Sequence, residues 1–255
     1  MRKARREITG KMTSQERSND AWGLLLSDYH SGLSCIEVIE RDDGFVSATD
    51  NMSTYFSSYD DWPDNVKEAM SFVQGRVLDV GVGAGRFALY LQEQGHEVLG
   101  IDVSPGILEV CRQRGVQDLR QLPFHRVDAS LGLFDTVLMM GNNFGLFANP
   151  RRARWMLRRL KKLTRGRARI IAESLDVYAT DKREHLAYHA RNRQRGRLPG
   201  EIRLRVRYRD RIGDWFDYLM VSQAEMEEIV EGTGWRTEAI LERGGGQYVA
   251  VLEKA

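Results

Sequence analysis

Four short apolar runs, at 76–80, 97–101, 134–140 and 168–172, alternate with stretches of helical periodicity at 84–94, 105–114 and 149–163. Runs of that length, apolar almost throughout, suit strands buried on both faces. Strands that alternate with helices wind into a parallel sheet covered on both sides. The pattern therefore predicts an α/β fold with a doubly wound sheet. One more strand is expected between the second helix and the third run, where 118–122 and 124–129 both fit and the second is preferred. After residue 220 the alternation breaks. Ser222 and Glu225 have the spacing of a capping box, a helix runs to Gly232, and WRTEAILE and QYVAVLE flank the glycines 244–246 as a terminal β-hairpin.

Ahead of the first run lies an N-terminal extension. A helix is expected over 13–30, capped by Ser14 or Asn19, then a short strand in CIEVIE ending at the turn Asp42-Asp43-Gly44. The segment YFSSYDDWP gathers Tyr55, Phe56, Tyr59 and Trp62 before a helix that starts at Pro63. The chain has 255 residues, 42% of them hydrophobic, enough for one globular domain with an appendage. No run has the length of a membrane span, and the basic start leads into polar sequence, so a soluble cytoplasmic protein is expected. Cys35 and Cys111 form no CxxC pair and read as reduced packing residues.

The stretch LDVGVGAGRF, 78–87, places Gly81, Gly83 and Gly85 directly after the first run. Glycine at a strand-to-helix turn tolerates positive φ and lets a ligand approach the backbone. The dinucleotide fingerprint G-x-G-x-x-G puts its third glycine one position later, where Arg86 stands, and no Gly-Lys-Ser/Thr follows as a P-loop requires. A carboxylate at Asp79, just before the loop, would repel phosphate and suits a ligand with an ammonium group. Asp102 closes the second run, where such sheets place an acid that accepts hydrogen bonds from ribose hydroxyls. Asp79 and Asp102 together predict a ribose-containing ligand that carries positive charge.

At these residues the chain resembles the class I S-adenosylmethionine-dependent methyltransferases. The match consists of the acid-x-Gly-x-Gly-x-Gly loop at 79–85, Asp102, the segment FDTVLMMGNNFG at 134–145, and the hairpin after TGW at 233–235. The resemblance implies a seven-stranded sheet of order 3-2-1-4-5-7-6 with strand 7 antiparallel. It divides the chain into an N-terminal extension or lid, 1–73, and a methyltransferase domain, 74–255, with an acceptor-site insertion at about 174–220. It also implies S-adenosyl-L-methionine as cofactor and S-adenosyl-L-homocysteine as product. Gly81, Gly83, Gly85 and Asp79 would then hold the methionine end, Asp102 with Val103 the ribose, and Asp128 the adenine amine if 124–129 is the third strand. Asn142 and Asn143 would orient the cofactor carboxylate or the acceptor.

Methyl transfer to a nucleophile works mainly by alignment and exclusion of water, so it requires no metal, and it needs a base only where the acceptor must lose a proton. GNNFGLF, 141–147, has neither the Asn/Asp-Pro-Pro-aromatic motif with which DNA and protein-amide members of that family hold a planar amine nor the Pro-Cys nucleophile of the cytosine C5 enzymes. Asn142 is a candidate for orienting the acceptor, and equally for a left-handed turn beside Gly141. His185 and His189, four apart, are candidate bases, or metal ligands with a carboxylate, and exposed helix residues on the plainer reading. IRLRVRYR, 202–209, alternates Ile202, Leu204, Val206 and Tyr208 with Arg203, Arg205, Arg207 and Arg209. Its cationic face suits an anionic acceptor, or merely protects an edge strand. Residues 1–150 hold 14 Lys/Arg and 21 Asp/Glu, a balance of −7, and the rest 24 and 15, or +9. A small-molecule acceptor is expected. An RNA acceptor bound by 151–169 and 182–211, or a cofactor-binding protein without turnover, are the rivals. The aromatics at 55–62 are candidates for a lid over the sulfonium.

Overall fold

The computed structural model describes residues 19–255. The expected helix over 13–30 falls partly outside them, and within them it is α1 (Ala21–His30), capped by Asp20. It leads to β1 (Glu37–Arg41) and β2 (Val46–Thr49), a single turn α2 (Ser53–Phe56), and α3 (Asp64–Met70), which starts after Pro63. The regular part follows as β3 (Val77–Val80), α4 (Arg86–Glu93), β4 (Val98–Asp102), α5 (Pro105–Arg114), β5 (Asp118–Gln121), β6 (Phe134–Met139), α6 (Pro150–Lys162) and β7 (Thr164–Leu175). Beyond it come α7 (Arg183–Gln194), β8 (Glu201–Tyr208), β9 (Arg211–Ile212), β10 (Phe216–Leu219), α8 (Gln223–Val230), β11 (Trp235–Glu242) and β12 (Gln247–Lys254).

The main sheet runs β5-β4-β3-β6-β7-β12-β11, and β12 lies antiparallel between β7 and β11. By position this is the order 3-2-1-4-5-7-6 that the sequence resemblance implies. Two apolar layers clothe it. Val77, Leu138, Ile171 and Val249 pack under α1, α3, α4 and α5, while Leu78, Val137, Ile170 and Ala250 pack under α6 and α8.

The third strand corrects the sequence reading. It is Asp118–Gln121, paired with β4 from Leu99 to Asp102, and 124–126 form a 3₁₀ turn instead. Gly115, at φ 99°, ends α5 in the left-handed region and returns the chain to the sheet at once. Pro123 then turns it away. Asp128 lies far past the strand, exposed, where it caps a second 3₁₀ turn through the Ser130 N–H.

The extension and the insertion build a second sheet together, in the order β10-β8-β1-β2, with β9 also on β8. The arginine-rich strand β8 is therefore interior to a sheet and not an edge, contrary to the sequence reading. Its arginines are matched: Arg205 and Arg207 to Glu40 at 2.8 and 3.2 Å, Arg203 to Asp217 at 3.7 Å, and Arg209 to Asp28 at 2.9 Å. All three acids lie far from β8 in sequence or beyond its turn, so chain spacing gives no hint of the pairing.

Candidate active site

The site forms where β3, β4 and β6 end. Gly81, Gly83 and Gly85 adopt φ of 70°, 55° and 82°, left-handed values that favour glycine. Space also forbids a side chain at Gly85, where a Cβ would lie 2.7 Å from Val116 Cγ2, and at Gly81, where it would lie 2.6 Å from Asn143 Nδ2. That amide clamps the loop by donating to the carbonyls of Val80 at 2.9 Å and Gly81 at 3.0 Å. Cys111 supports it from below, its thiol donating to the Gly83 carbonyl at 2.9 Å. Burial, then Asp102 and Asp79, push the thiol pKa up to about 12, so it stays a donor.

Asp79 is 2% exposed, and its Oδ2 has no hydrogen-bond partner among the described residues. Burial and the nearby Asp102 raise its pKa to about 7, against the opposing pull of Arg86. Asp102 ends β4 with one oxygen accepting from the Ser104 N–H at 2.9 Å, and burial raises its pKa to about 6. A buried and a half-buried acid held above the ordinary carboxylate range, the buried one with an unpartnered oxygen, form a site that favours a cation and hydroxyl donors. The residues present fit the nucleoside that the sequence reading implies. Glycines 81, 83 and 85 offer bare backbone, Asp79 an unmatched carboxylate, and Asp102 a hydrogen-bonded carboxylate on the adjacent strand. Val103 beside it is exposed, and Gln121 of β5 reaches it, donating to the Val103 carbonyl at 3.1 Å. Asp128 does not join this group.

Asn142 and Asn143 diverge. Asn143 serves the loop as described. Asn142 takes φ 62°, the left-handed turn, yet its Oδ1 is buried without a partner while its carbonyl accepts the Tyr218 hydroxyl at 2.6 Å. His185 faces Thr180 and Phe45, and His189 faces Tyr178, so their partners belong to the insertion and extension and not to the glycine loop. Burial lowers both imidazole pKa values, with Arg41 and Lys182 adding at His185 and Arg193 at His189. Among the described residues no three His, Cys, Asp or Glu side chains are placed to share a metal ion.

Of the four aromatics before β3, Tyr55 alone reaches the loop, its ring 3.8 Å from where a Gly83 Cβ would stand. Trp62 packs on Phe87, Tyr59 stacks on Tyr90, and Phe56 contacts Tyr29. Sequence reasoning passed over four further residues. Arg86 donates to the Thr54 carbonyl at 2.8 Å and ties α4 to α2. Glu173 on β7 accepts from the Gly141 N–H at 2.6 Å, Glu37 accepts from the Tyr55 hydroxyl at 2.9 Å, and Tyr218 holds Asn142. Glu173 carried the same signal as Asp102, an acid closing an apolar run. For Tyr218 the sequence offers none.

Residues 77–167 match a family described as "Methyltransferase domain". Over 71 residues the chain is 34% identical to the putative methyltransferase YqeM of Bacillus subtilis (strain 168), a match covering 28% of each protein. It is 35% identical over 69 residues to the magnesium-protoporphyrin O-methyltransferase of Rhodobacter capsulatus, covering 26% of this chain and 31% of that protein. The matches thus span under a third of the length of these curated relatives. A crystal structure of a SAM-dependent methyltransferase from Bacteroides fragilis with S-adenosyl-L-homocysteine superposes over 98% of this chain and 100% of that one, with a TM-score of 0.79 and 27% identity. Sheet order, glycine loop and these similarities agree: the chain has the fold of the class I S-adenosylmethionine-dependent methyltransferases, with residues 77–167 similar to a methyltransferase domain.

Proposed function

We propose that this protein binds S-adenosyl-L-methionine at the glycine loop and transfers its methyl group to a small-molecule acceptor. The observation that carries the reading is the unpartnered oxygen of Asp79 behind a loop bare of side chains, one strand from Asp102. A buried unmatched carboxylate is costly unless a cationic ligand completes it. The cofactor supplies a methyl group on a positively charged sulfur. The chain's own part is to hold the amino acid end against Gly81 and Asp79, the ribose against Asp102, and the acceptor in line while water is kept out. The Bacteroides fragilis protein, similar along its whole length, was crystallised with the demethylated cofactor, which supports this assignment.

In this proposal residues 1–73 act as a lid over a methyltransferase domain of 74–255, with the insertion at 174–220 shaping the acceptor site. The joint sheet of β1, β2, β8 and β10 supports that division. A small acceptor accords with the position of Tyr55, which narrows the approach to Gly83. The unpaired Cys35 and Cys111 accord with a reducing compartment, and the proposal extends to a cytoplasmic location. No helix among the described residues is long and apolar enough to cross a membrane.

Calorimetry with S-adenosyl-L-homocysteine tests the reading. The parent protein binds it, and Asp102→Ala weakens binding by about 2–4 kcal/mol as two charge-assisted hydrogen bonds are lost. Unchanged affinity in that variant would refute the ribose assignment.

A further inference from the structure

Next to the glycine loop lies a cluster of acidic groups whose charge the methyl transfer alone does not explain. Glu37 opens β1 and is 7% exposed; Glu173 lies near the end of β7 and is 8% exposed. The sheet register sets Glu173 beside the loop: Asp79 pairs with Leu138 and Leu138 with Ile171, so Glu173 projects from the same face as Asp79, one step nearer the strand ends. Tyr218 of β10 feels both glutamates, and burial with these two charges raises its phenol pKa. Glu37 and Tyr55 come from the extension, Tyr218 from the insertion, Glu173 and Asn142 from the main sheet.

These groups are unbalanced. Glu37, Glu173 and Asp79 are acidic and nearly enclosed, and Arg86 is the cation that the electrostatics couple to Asp79 and Glu173. Its guanidinium already donates to the Thr54 carbonyl and the Ser57 hydroxyl. Asp79 Oδ2 is left to the cofactor, and a further acceptor, Asn142 Oδ1, is buried without a donor. Aromatic rings adjoin Tyr218, with Phe216 at 6.1 Å between centroids and Trp22 at 6.5 Å from Phe216. Excess carboxylates, an unmet acceptor and aromatic faces together ask for a ligand with positive charge and N–H donors. The arginines of β8, which would have drawn an anion, are occupied by Glu40, Asp217 and Asp28.

We propose that the methyl acceptor is a small amine, held as its cation between Glu37 and Glu173 with its carbon skeleton against Trp22 and Phe216, and that Glu37 removes the proton which frees the nitrogen. The inference rests on the methyltransferase reading. In the step, an N–H bond of the ammonium breaks and its proton passes to the Glu37 carboxylate. The nitrogen lone pair then bonds the methyl carbon as the carbon–sulfur bond breaks, the electron pair staying on sulfur. The product leaves as an N-methylammonium, and Glu37 returns the proton to water. Glu37 suits the role better than Glu173. Its partner is a hydroxyl, which can turn from donor to acceptor when the acid is protonated, whereas Glu173 is fixed by a backbone N–H that can only donate. Burial also raises the proton affinity of Glu37.

The test titrates phenethylamine and a series of aliphatic and arylalkyl amines, each with its carboxylate counterpart, into protein loaded with S-adenosyl-L-homocysteine. The expected result is at least one amine bound tenfold or more tightly than its counterpart and labelled by methyl-labelled cofactor. Glu173→Gln and Glu37→Gln each weaken that amine at least tenfold while the affinity for S-adenosyl-L-homocysteine stays within twofold, and Glu37→Gln also slows transfer at saturating amine. Preference for the carboxylates, binding of no amine in the series, or amine affinity indifferent to both substitutions overturns the proposal. Should the variants not fold, the parent's choice between amine and carboxylate still decides it. A parent that does not bind S-adenosyl-L-homocysteine refutes the methyltransferase reading instead.

Discussion

Asp79 ends an apolar strand with one oxygen unpartnered and a pKa near 7, a state a folded protein retains only where something else depends on it. In the unfolded chain such a carboxyl titrates near 4. The fold therefore holds a proton that the unfolded chain has released, and for Asp79 and Asp102 ligand-free stability falls as pH rises from about 4 to 7. Asp79→Asn removes the unmatched charge. We expect it to raise the melting temperature at pH 8, by an amount worth about 1–3 kcal/mol, while weakening S-adenosyl-L-homocysteine tenfold or more. Scanning calorimetry and titration check both signs together, and a variant that gains affinity would contradict the assignment. A cationic ligand favours the ionised acid, so binding near neutral pH expels protons. Titration in buffers of different ionisation enthalpy measures that release, which shrinks in Asp79→Asn.

Helices α1 and α5 meet through glycine and a shared cap. Asp20 accepts from the Gly23 N–H at 2.9 Å, which caps α1, and from the Ser104 hydroxyl and the Gly106 N–H at 2.7 and 3.0 Å, at the start of α5. The same turn carries the Ser104 N–H that holds Asp102, so the extension is coupled to Asp102 through one carboxylate. Asp20→Ala should cost about 1–3 kcal/mol in chemical denaturation, the loss of two caps, and should also weaken the nucleoside. Gly106 tolerates no methyl, since a Cβ there would lie 2.8 Å from Gly23 Cα. Gly81→Ala meets both a left-handed φ and Asn143, and is expected to abolish S-adenosyl-L-homocysteine binding in a protein that still melts cooperatively.

The molecule separates its charges by face. Helix α6 packs under the layer of Leu78 and Val137, opposite the face that carries Asp79, Glu173 and the extension. Its Arg151, Arg152 and Arg158 are exposed, as is Trp155 under the Arg159 guanidinium, so this basic side belongs to the sheet face opposite Asp79 and Glu173. Any RNA retained by the protein should be lost steeply between about 50 and 200 mM salt. Replacing Arg151, Arg152 and Arg158 with alanine should leave S-adenosyl-L-homocysteine affinity within twofold. Methyl label recovered in RNA would count against a small acceptor.

The strands β3, β4, β6 and β7, the glycine loop, Asp79, Asp102 and the final hairpin were all legible in the sequence, because periodicity, turn chemistry and strand-end acids are local patterns that survive without knowledge of neighbours. Where two local patterns competed, as at 118–122 and 124–129, only the sheet decided, since strand pairing with β4 is a long-range contact that leaves no trace in spacing. The partners of the β8 arginines and the meeting of Glu37, Tyr55, Tyr218 and Glu173 belong to the same class. Those residues stand between 18 and 181 positions apart along the chain, from Tyr55 back to Glu37 and on from Glu37 to Tyr218. Their proximity exists only because the extension and the insertion complete one sheet above the strand ends. The sequence by itself determined the glycine loop and the two acids at its strand ends; which charges gather beside them was decided by tertiary packing.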